Sequence, residues 1–376
     1  MKISVQKSIL LKSINHVMKA VATNTTLPIL MGIKVIATNK GIELTGSDGN
    51  ISTVSFIPAE FLGDTLAEIT KEGGIILQAK YFSEIIKKLP KDDVEIEVKE
   101  YVATIKSGKS KFKINGLDVV EYPRLPRFDE DNVITLKANQ LKQLISETTY
   151  AVSKSGTRPI LTGVQWQVKS NVLICLATDS HRLAKRELPI KGLSDSIQVV
   201  IPGSSLDELN KILEDSDEKV DVVLTENQVI FQFTHVTFYS RLLEGNYPDT
   251  ARLIPTSYKS EIIVNAKELQ QALERVLVLV SNGDKNVVKM DIQINEIFIK
   301  LSGSADELGK MNEEIIAESI TGEDIIISFS PKYMKEALKT LNGSISIQFT
   351  GSMRPFIIKK KGNDELIHML LPVRTY

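Results

Sequence analysis

The chain has 376 residues, 46 lysines and arginines against 47 aspartates and glutamates, 42% hydrophobic residues and a single cysteine. That length suits two or three domains of roughly 100 to 200 residues each. The composition excludes an intramolecular disulfide and any span approaching the ~20 apolar residues a bilayer requires, and Lys2, Lys7 and Lys12 interrupt any amino-terminal signal, so a cytoplasmic protein with no membrane partner is expected.

In chain order, an alternating strand from Ile3 leads into an amphipathic helix marked by Leu10, Ile14, Val17 and Val21. The β-rich stretches GIKVIAT and GIELTGS follow. A strand–helix segment then starts at Ile75 (IILQAKYFSEIIKKLP), with Ser83 near the helix start, and DVEIEVKE with YVATIKSGKSKFKIN reads as two more strands that close the copy. The order then begins again. ITLKANQLKQLISETTYAV from Ile134 repeats the first helix, and GVQWQVKS and VLICLATDS, which holds Cys175, repeat the strands. VVIPGSSLDELNKILE from Val199 repeats the second helix.

A third round follows: IIVNAKELQQALERVLVLV from Ile262, KMDIQIN, IFIKLSGS, and IISFSPKYMKEALKTLN from Ile326. There, Ser330 followed by Pro331 is a helix-start signal. Leu10, Ile14 and Val21 correspond to Leu141, Ile145 and Val152, and again to Leu269, Leu273 and Val280. Phe82, Leu206 and Met334 correspond likewise. A period of about 130 residues far exceeds the ~20 to 50 of a solenoid, so whole domains are repeated. Proline-bearing segments (Leu117 to Pro126, Leu243 to Pro255) close the first two copies, placing domains at 1–128, 129–256 and 257–376. The expected class is α+β, three tandem copies of one domain, each with two helices packed on β-sheets.

Motifs of catalysis are absent. Gly108-Lys109-Ser110 imitates the end of a phosphate-binding loop, but Ala103 stands where that loop needs glycine, and the tripeptide joins two strands; it reads as a hairpin turn. The four histidines, His16, His181, His235 and His368, lack metal-ligand spacing, so no metal and no cofactor are expected. Asp179, Ser180, His181 and Arg182 contain the residue types of a hydrolase triad, which leaves an enzyme using Asp179, His181 and Arg182 as an alternative reading. Adjacent residues seldom converge as triad members do, and a turn after VLICLA is the plainer reading. Lysines recur on the repeated helices: Lys12 and Lys19 with His16, Lys80 and Lys87, and Lys332, Lys335 and Lys339. A solvated helix face explains any one of these; recurrence on equivalent helices suggests more. A sequence-specific DNA-binding regulator would need a basic surplus that the net charge of −1 does not supply.

TLPIL (Thr26 to Leu30), TRPILTGV (Thr157 to Val164), ATDSHRLA (Ala177 to Ala184), EGNYPD (Glu244 to Asp249) and LLPVRTY (Leu370 to Tyr376), in this order along a triplicated chain, resemble the bacterial DNA polymerase III beta subunit family over the full length. The resemblance implies a non-catalytic processivity subunit. It would be a head-to-tail homodimeric ring of pseudo-sixfold symmetry that encircles double-stranded DNA without sequence specificity. Partners would be the replicative polymerase, the clamp loader and other proteins with short clamp-binding motifs. It implies that the helix lysines face DNA. The dimer seam would pair Lys109, Lys111, Phe112 and Ile114 with Leu279, Val280, Glu313 and Glu314. A pocket for partner peptides would draw Arg158 and Leu161 from one segment and Thr178, His181, Arg182 and Leu183 from the next. Pro248, Leu253 and Pro355 would join it, as would Met369, Leu371, Pro372, Val373 and Arg374, with His181, Arg182 and Arg374 at its rim. Asn24 and the pair Gly203-Ser204 depart from the family pattern, so duplex contact is expected from the helix lysines rather than from those two loops; Ser180 departs as well, at a position where the family often has glycine.

Overall fold

The computed structural model describes residues 1–125, 133–191, 197–280, 286–305 and 309–374. The expected domain limit at residue 128 lies outside them, as do Thr375 and Tyr376.

Among the described residues six α-helices fall two to a copy: α1 Lys7–Val17 and α2 Ala79–Lys88, α3 Ala138–Thr148 and α4 Gly203–Ile212, α5 Ala266–Val280 and α6 Pro331–Leu338. The strands expected from sequence are present at Gly32–Thr38, Gly41–Ser47, Gly163–Lys169, Val172–Thr178, Val288–Ile292 and Phe298–Ala305. Three differences concern helix ends. α1 stops at Val17, so Lys19 and Val21 lie beyond it, Lys19 exposed on the following turn. Ser83 sits inside α2, whose cap position is Gln78. Ser330 does cap α6 ahead of Pro331, but through backbone geometry, with no side-chain hydrogen bond.

The chain gathers into two compact units, and the middle copy contributes to both. The first unit, chiefly residues 1–142 and 204–242, carries a 13-stranded sheet. In it Val236–Arg241 of the second copy pairs antiparallel with Ile51–Pro58 of the first, Phe238 opposite Thr53. The second unit, chiefly residues 143–190 and 243–374, carries a nine-stranded sheet in which Arg182–Pro189 pairs with Leu366–Leu370, Ala184 opposite His368. In both units an edge strand of one copy is covered by the next, which removes unpaired backbone groups that would otherwise invite aggregation.

Each core is a helix pair laid on sheet. Leu10 and Ile14 of α1 and Phe82 and Ile86 of α2 are fully buried with Val35, Ile42 and Leu77. In the third copy Leu269, Leu273 and Val276 of α5 and Met334 and Leu338 of α6 do the same with Phe329, Phe349 and Phe356. A glycine keeps the first helix close to its sheet. A Cβ on Gly46 would lie 2.3 Å from the carbonyl of Val17 and 3.0 Å from Val21, and one on Gly303 would lie 2.7 Å from Val280. Val21 and Val280, matched by the repeat, close on equivalent glycines.

Candidate functional site

The segment ATDSHRLA forms a tight hairpin between Val172–Thr178 and Arg182–Pro189, closed by Thr178 opposite Leu183. Its side chains hold the turn. Thr178 Oγ1 donates to the carbonyl of Arg182 at 2.6 Å and accepts from the Ser180 amide at 3.1 Å. Asp179 Oδ1 accepts from the amides of His181 (2.9 Å) and Arg182 (3.0 Å), the Asx geometry expected of such a turn. Ser180 has φ +75°, a left-handed conformation that glycine adopts at less cost. The carboxylate of Asp179 is thus spent on positioning, and the triad-like residue types here build a turn.

Arg182 differs from its expected place at the rim, because its side chain is 3% exposed. Its Nε bonds Asp179 Oδ2 at 3.0 Å, its guanidinium pairs with Glu336 of α6, and a third N–H donates to the carbonyl of Tyr150 at 2.6 Å. The rings of Tyr333 and Tyr150 lie 4.4 Å and 5.1 Å from its guanidinium carbon. A charge so buried is held only by such a complete partner set. His181 is exposed and stacks on Tyr333, centroids 6.2 Å apart.

The carboxyl-terminal segment runs alongside. After Leu366–Leu370, Leu371 N–H donates to the carbonyl of His181 (3.0 Å) and Val373 N–H to that of Ser328 (2.8 Å). Leu371, Pro372 and Val373 are half-buried and Arg374 is exposed. Beneath them Leu161, Leu183 and Met369 are buried in one apolar cluster with Leu176, Tyr247 and Ile357. The Tyr247 hydroxyl accepts from the Thr178 amide at 3.1 Å, and burial pushes its acidity well down, so it stays protonated. Pro248 is exposed beside it, and Leu253 is 57% exposed. Arg158 caps the turn that carries Leu161, and Pro355 is half-buried ahead of Phe356. Tyr150, Tyr247, Tyr333 and Glu336 were not singled out from sequence. The only available signals were that Tyr247 lies inside EGNYPD and that Tyr333 and Glu336 lie in the repeated helix SPKYMKEAL.

Lys80, Lys87, Lys332 and Lys339 are exposed. Lys12 pairs with Glu214 (2.7 Å), whose carboxyl that hydrogen bond lowers, and the partly buried Lys335 pairs likewise with Glu274 (3.1 Å). Lys109 lies on the two-residue turn Gly108–Lys109, with Gly108 at φ +57°, so the phosphate-loop mimic is a hairpin turn. Lys111 and Phe112 are exposed on Ser110–Leu117 and Ile114 is half-buried. Residues 110–115 of this strand pair only with Val102–Ser107, leaving their other side open, whereas Gly116 and Leu117 pair with Leu77 and Ile76. Gly309–Ile316, with Glu313 and Glu314, is the edge of a four-stranded sheet. Glu313 is bonded by Arg275 Nε at 2.7 Å. Leu279 is half-buried, whereas Val280 is 1% exposed in the core, and its neighbour Val278 is 70% exposed. Val280 therefore belongs to the interior and not to a seam.

Three family models of the DNA polymerase III beta subunit match: the N-terminal domain over residues 1–126, the central domain over 135–249 and the C-terminal domain over 251–374. The beta sliding clamp of Bacillus subtilis is 51% identical over 379 residues, covering all of both chains, and that of Staphylococcus aureus is 42% identical with equal coverage. The crystal structure of the Bacillus subtilis clamp superposes with TM-score 0.97 at 50% identity, and that of the Streptococcus pyogenes beta subunit with 0.94 at 35%, each covering both chains completely. Three tandem α+β domains, the strand-by-strand repeat and these full-length likenesses place the chain in the DNA polymerase III beta subunit family, the sliding clamps.

Proposed function

We propose that two copies of this chain close head to tail into a ring around double-stranded DNA, and that the ring tethers the replicative polymerase and other DNA-processing proteins in the cytoplasm. It is a processivity subunit and not an enzyme. The observation that carries the ring is a pair of open sheet edges with opposite character. Residues 110–115 carry Lys111 and Lys113 and follow Lys109, and Gly309–Ile316 bears Glu313 and Glu314. Edge strands of this kind add to one another through main-chain hydrogen bonds, and opposite charge fixes which edge meets which. A heterologous contact closes when the rotation per subunit allows it. The domains are taken as 1–128, 129–256 and 257–376, and the irregular stretch between Leu253 and Ser260 supports the second limit.

Inside the ring the exposed lysines of α2 and α6 (Lys80, Lys87, Lys332 and Lys339) meet phosphates, which carry no sequence information, so the ring slides. Lys12 and Lys335 take part by exchanging Glu214 and Glu274 for phosphate. Partner peptides dock where the 178–183 hairpin and the carboxyl terminus meet. Leu253, Pro248, Leu371 and Val373 offer apolar contact there, and His181, Arg158, Pro355 and Arg374 border it, over a floor of Leu161, Leu183 and Met369 fixed by Thr178 and Arg182.

Native mass measurement is expected to give twice the 41.8 kDa chain. With its clamp loader, the protein is expected to stay on nicked circular DNA and to run off once the circle is cut. Glutamate at Lys80, Lys87 and Lys332 is expected to weaken retention in a salt-dependent way while the dimer persists. Equal retention on circular and open-ended DNA would overturn encirclement.

A further inference from the structure

The repeat that puts Thr178 to Arg182 in a turn puts Ser47 to Ile51 in the same turn one copy earlier, within the first compact unit. Asp48 Oδ1 accepts from the amides of Asn50 (2.7 Å) and Ile51 (2.8 Å), as Asp179 does from those of His181 and Arg182. The Arg241 amide donates to the carbonyl of Asn50 at 3.0 Å, as the Leu371 amide does to that of His181. Leu30, Ile76 and Tyr122 are buried together with Ile29 packed on them; Leu161, Val200 and Tyr247 are buried together with Ile160 packed on them. The frame around the carboxyl-terminal docking site is therefore built a second time, where the first and second copies pair.

The apolar floor is not. Strand register fixes which positions are equivalent. Thr45 lies two pairs before the pair Ser47–Ser52, as Leu176 lies two pairs before Thr178–Leu183. Ser52 stands opposite Tyr239, as Leu183 stands opposite Met369. In the second unit Leu176, Leu183 and Met369 share one buried apolar cluster, and Leu371 is half-buried. At the same four places the first unit has Thr45, Ser52, Tyr239 and Arg241. Ser52 Oγ lies 2.7 Å from Ser47 Oγ, which ties its hydroxyl into the turn, and Arg241 is exposed. A leucine or phenylalanine of a docking peptide gains free energy in proportion to the apolar area it shares with its site. Pressed onto hydroxyls and a guanidinium, it strips water from groups that it cannot bond. Such a difference between two like frames is how one ligand is accepted at one and refused at the other.

We infer that Leu176, Leu183, Met369 and Leu371 confine peptide docking to one site per chain, and that Thr45, Ser52, Tyr239 and Arg241 keep the equivalent site of the first unit closed to apolar peptides. This rests on the docking site proposed above.

The test is stoichiometry by titration calorimetry on the full-length chain, with the peptide glutamine-leucine-serine-leucine-phenylalanine as probe. Wild type is expected to take up one peptide per chain. Thr45→Leu, Ser52→Leu, Tyr239→Met and Arg241→Leu together are expected to raise this to two, and to leave one per chain when residues 371–376 are deleted as well. The reverse exchange, Leu371→Arg in the wild-type chain, is expected to weaken the peptide at least about tenfold with the melting temperature unchanged, and it decides the matter if the fourfold variant does not fold. One peptide per chain in a folded fourfold variant, two in wild type, or wild-type affinity in Leu371→Arg would overturn the inference. A wild-type chain that takes up no peptide would overturn the docking site itself, and the inference with it.

Discussion

At the scale of single residues, the second unit is held by buried polar groups whose protonation the hydrogen bonds dictate. His368 is fully buried, with Nδ1 2.7 Å from the Tyr150 hydroxyl and Nε2 2.8 Å from Thr340 Oγ1. Thr340 already donates to the carbonyl of Ala337, so it must accept, which puts the proton on Nε2 and makes Tyr150 the donor to Nδ1. Burial pushes the pKa of His368 down to about 3 from 6.5. Above pH 6.5 the ring is neutral in both folded and unfolded chains and contributes no pH dependence. Below it the unfolded chain takes up a proton that the folded one refuses. Wild-type stability is therefore expected to fall relative to His368→Gln by about 1.4 kcal/mol per pH unit between pH 6.5 and roughly pH 4. Urea unfolding of both proteins across that range checks it, and parallel pH profiles would contradict it. None of this was legible in sequence, where His368 is one apolar-flanked histidine among four.

At the scale of elements, helix positions were legible and helix faces only partly so. The repeat matches Val21 and Val280, and both pack against the glycine of a facing strand. That match marked Val280 as an interior position, against its assignment to the seam. The 15-residue α5 presents Val278 to solvent instead and leaves Leu279 half-buried. Val278→Glu with Leu279→Glu is expected to give folded monomers in sedimentation that no longer remain on circular DNA. Val280→Glu places a charge in a dry core and is expected to cost several kcal/mol, on the order of 3 to 5, with loss of cooperative melting. A well-folded Val280→Glu monomer would reverse this assignment. α1 ends early for a similar reason: the chain must turn at Met18 to bring Val21 back onto Gly46, and helical spacing alone does not announce the turn.

At the scale of the whole molecule, the strands joining successive copies decide which residues can be removed without unpairing a sheet. The carboxyl terminus is tied to the 178–183 hairpin by Leu371 and to Ser328 by Val373, whereas Leu370 is itself a paired strand residue opposite Arg182. Deletion of residues 371–376 is thus the clean truncation, because removing Leu370 as well would unpair the sheet. That deletion is expected to abolish binding of a glutamine-leucine-x-leucine-phenylalanine peptide and polymerase stimulation, with dimer mass unchanged and the melting temperature nearly so. Leu183→Ala is a poorer probe. The side chain is fully buried, and such a substitution typically costs about 2 to 5 kcal/mol of folding stability, so weaker peptide binding would mix with a looser floor. A truncated chain that binds the peptide as tightly as wild type would remove the terminus from the site.

The sequence by itself determined the triplication, the α+β class, the paired helices and nearly every strand of the repeated segments, because these rest on local periodicity that each copy restates. It also determined that Asp179 to Arg182 form a turn, since asparagine- and aspartate-led turns are set by hydrogen bonds two or three residues away. Only the tertiary structure decided that Arg182 is interior, held by Glu336 from a helix 154 positions further along the chain. It likewise decided that Lys12 and Lys335 are already paired and that the middle copy lends strands to two different units. Burial and long-range pairing depend on which surfaces meet, and a one-dimensional pattern of apolar spacing specifies the face a residue occupies without naming what will cover it.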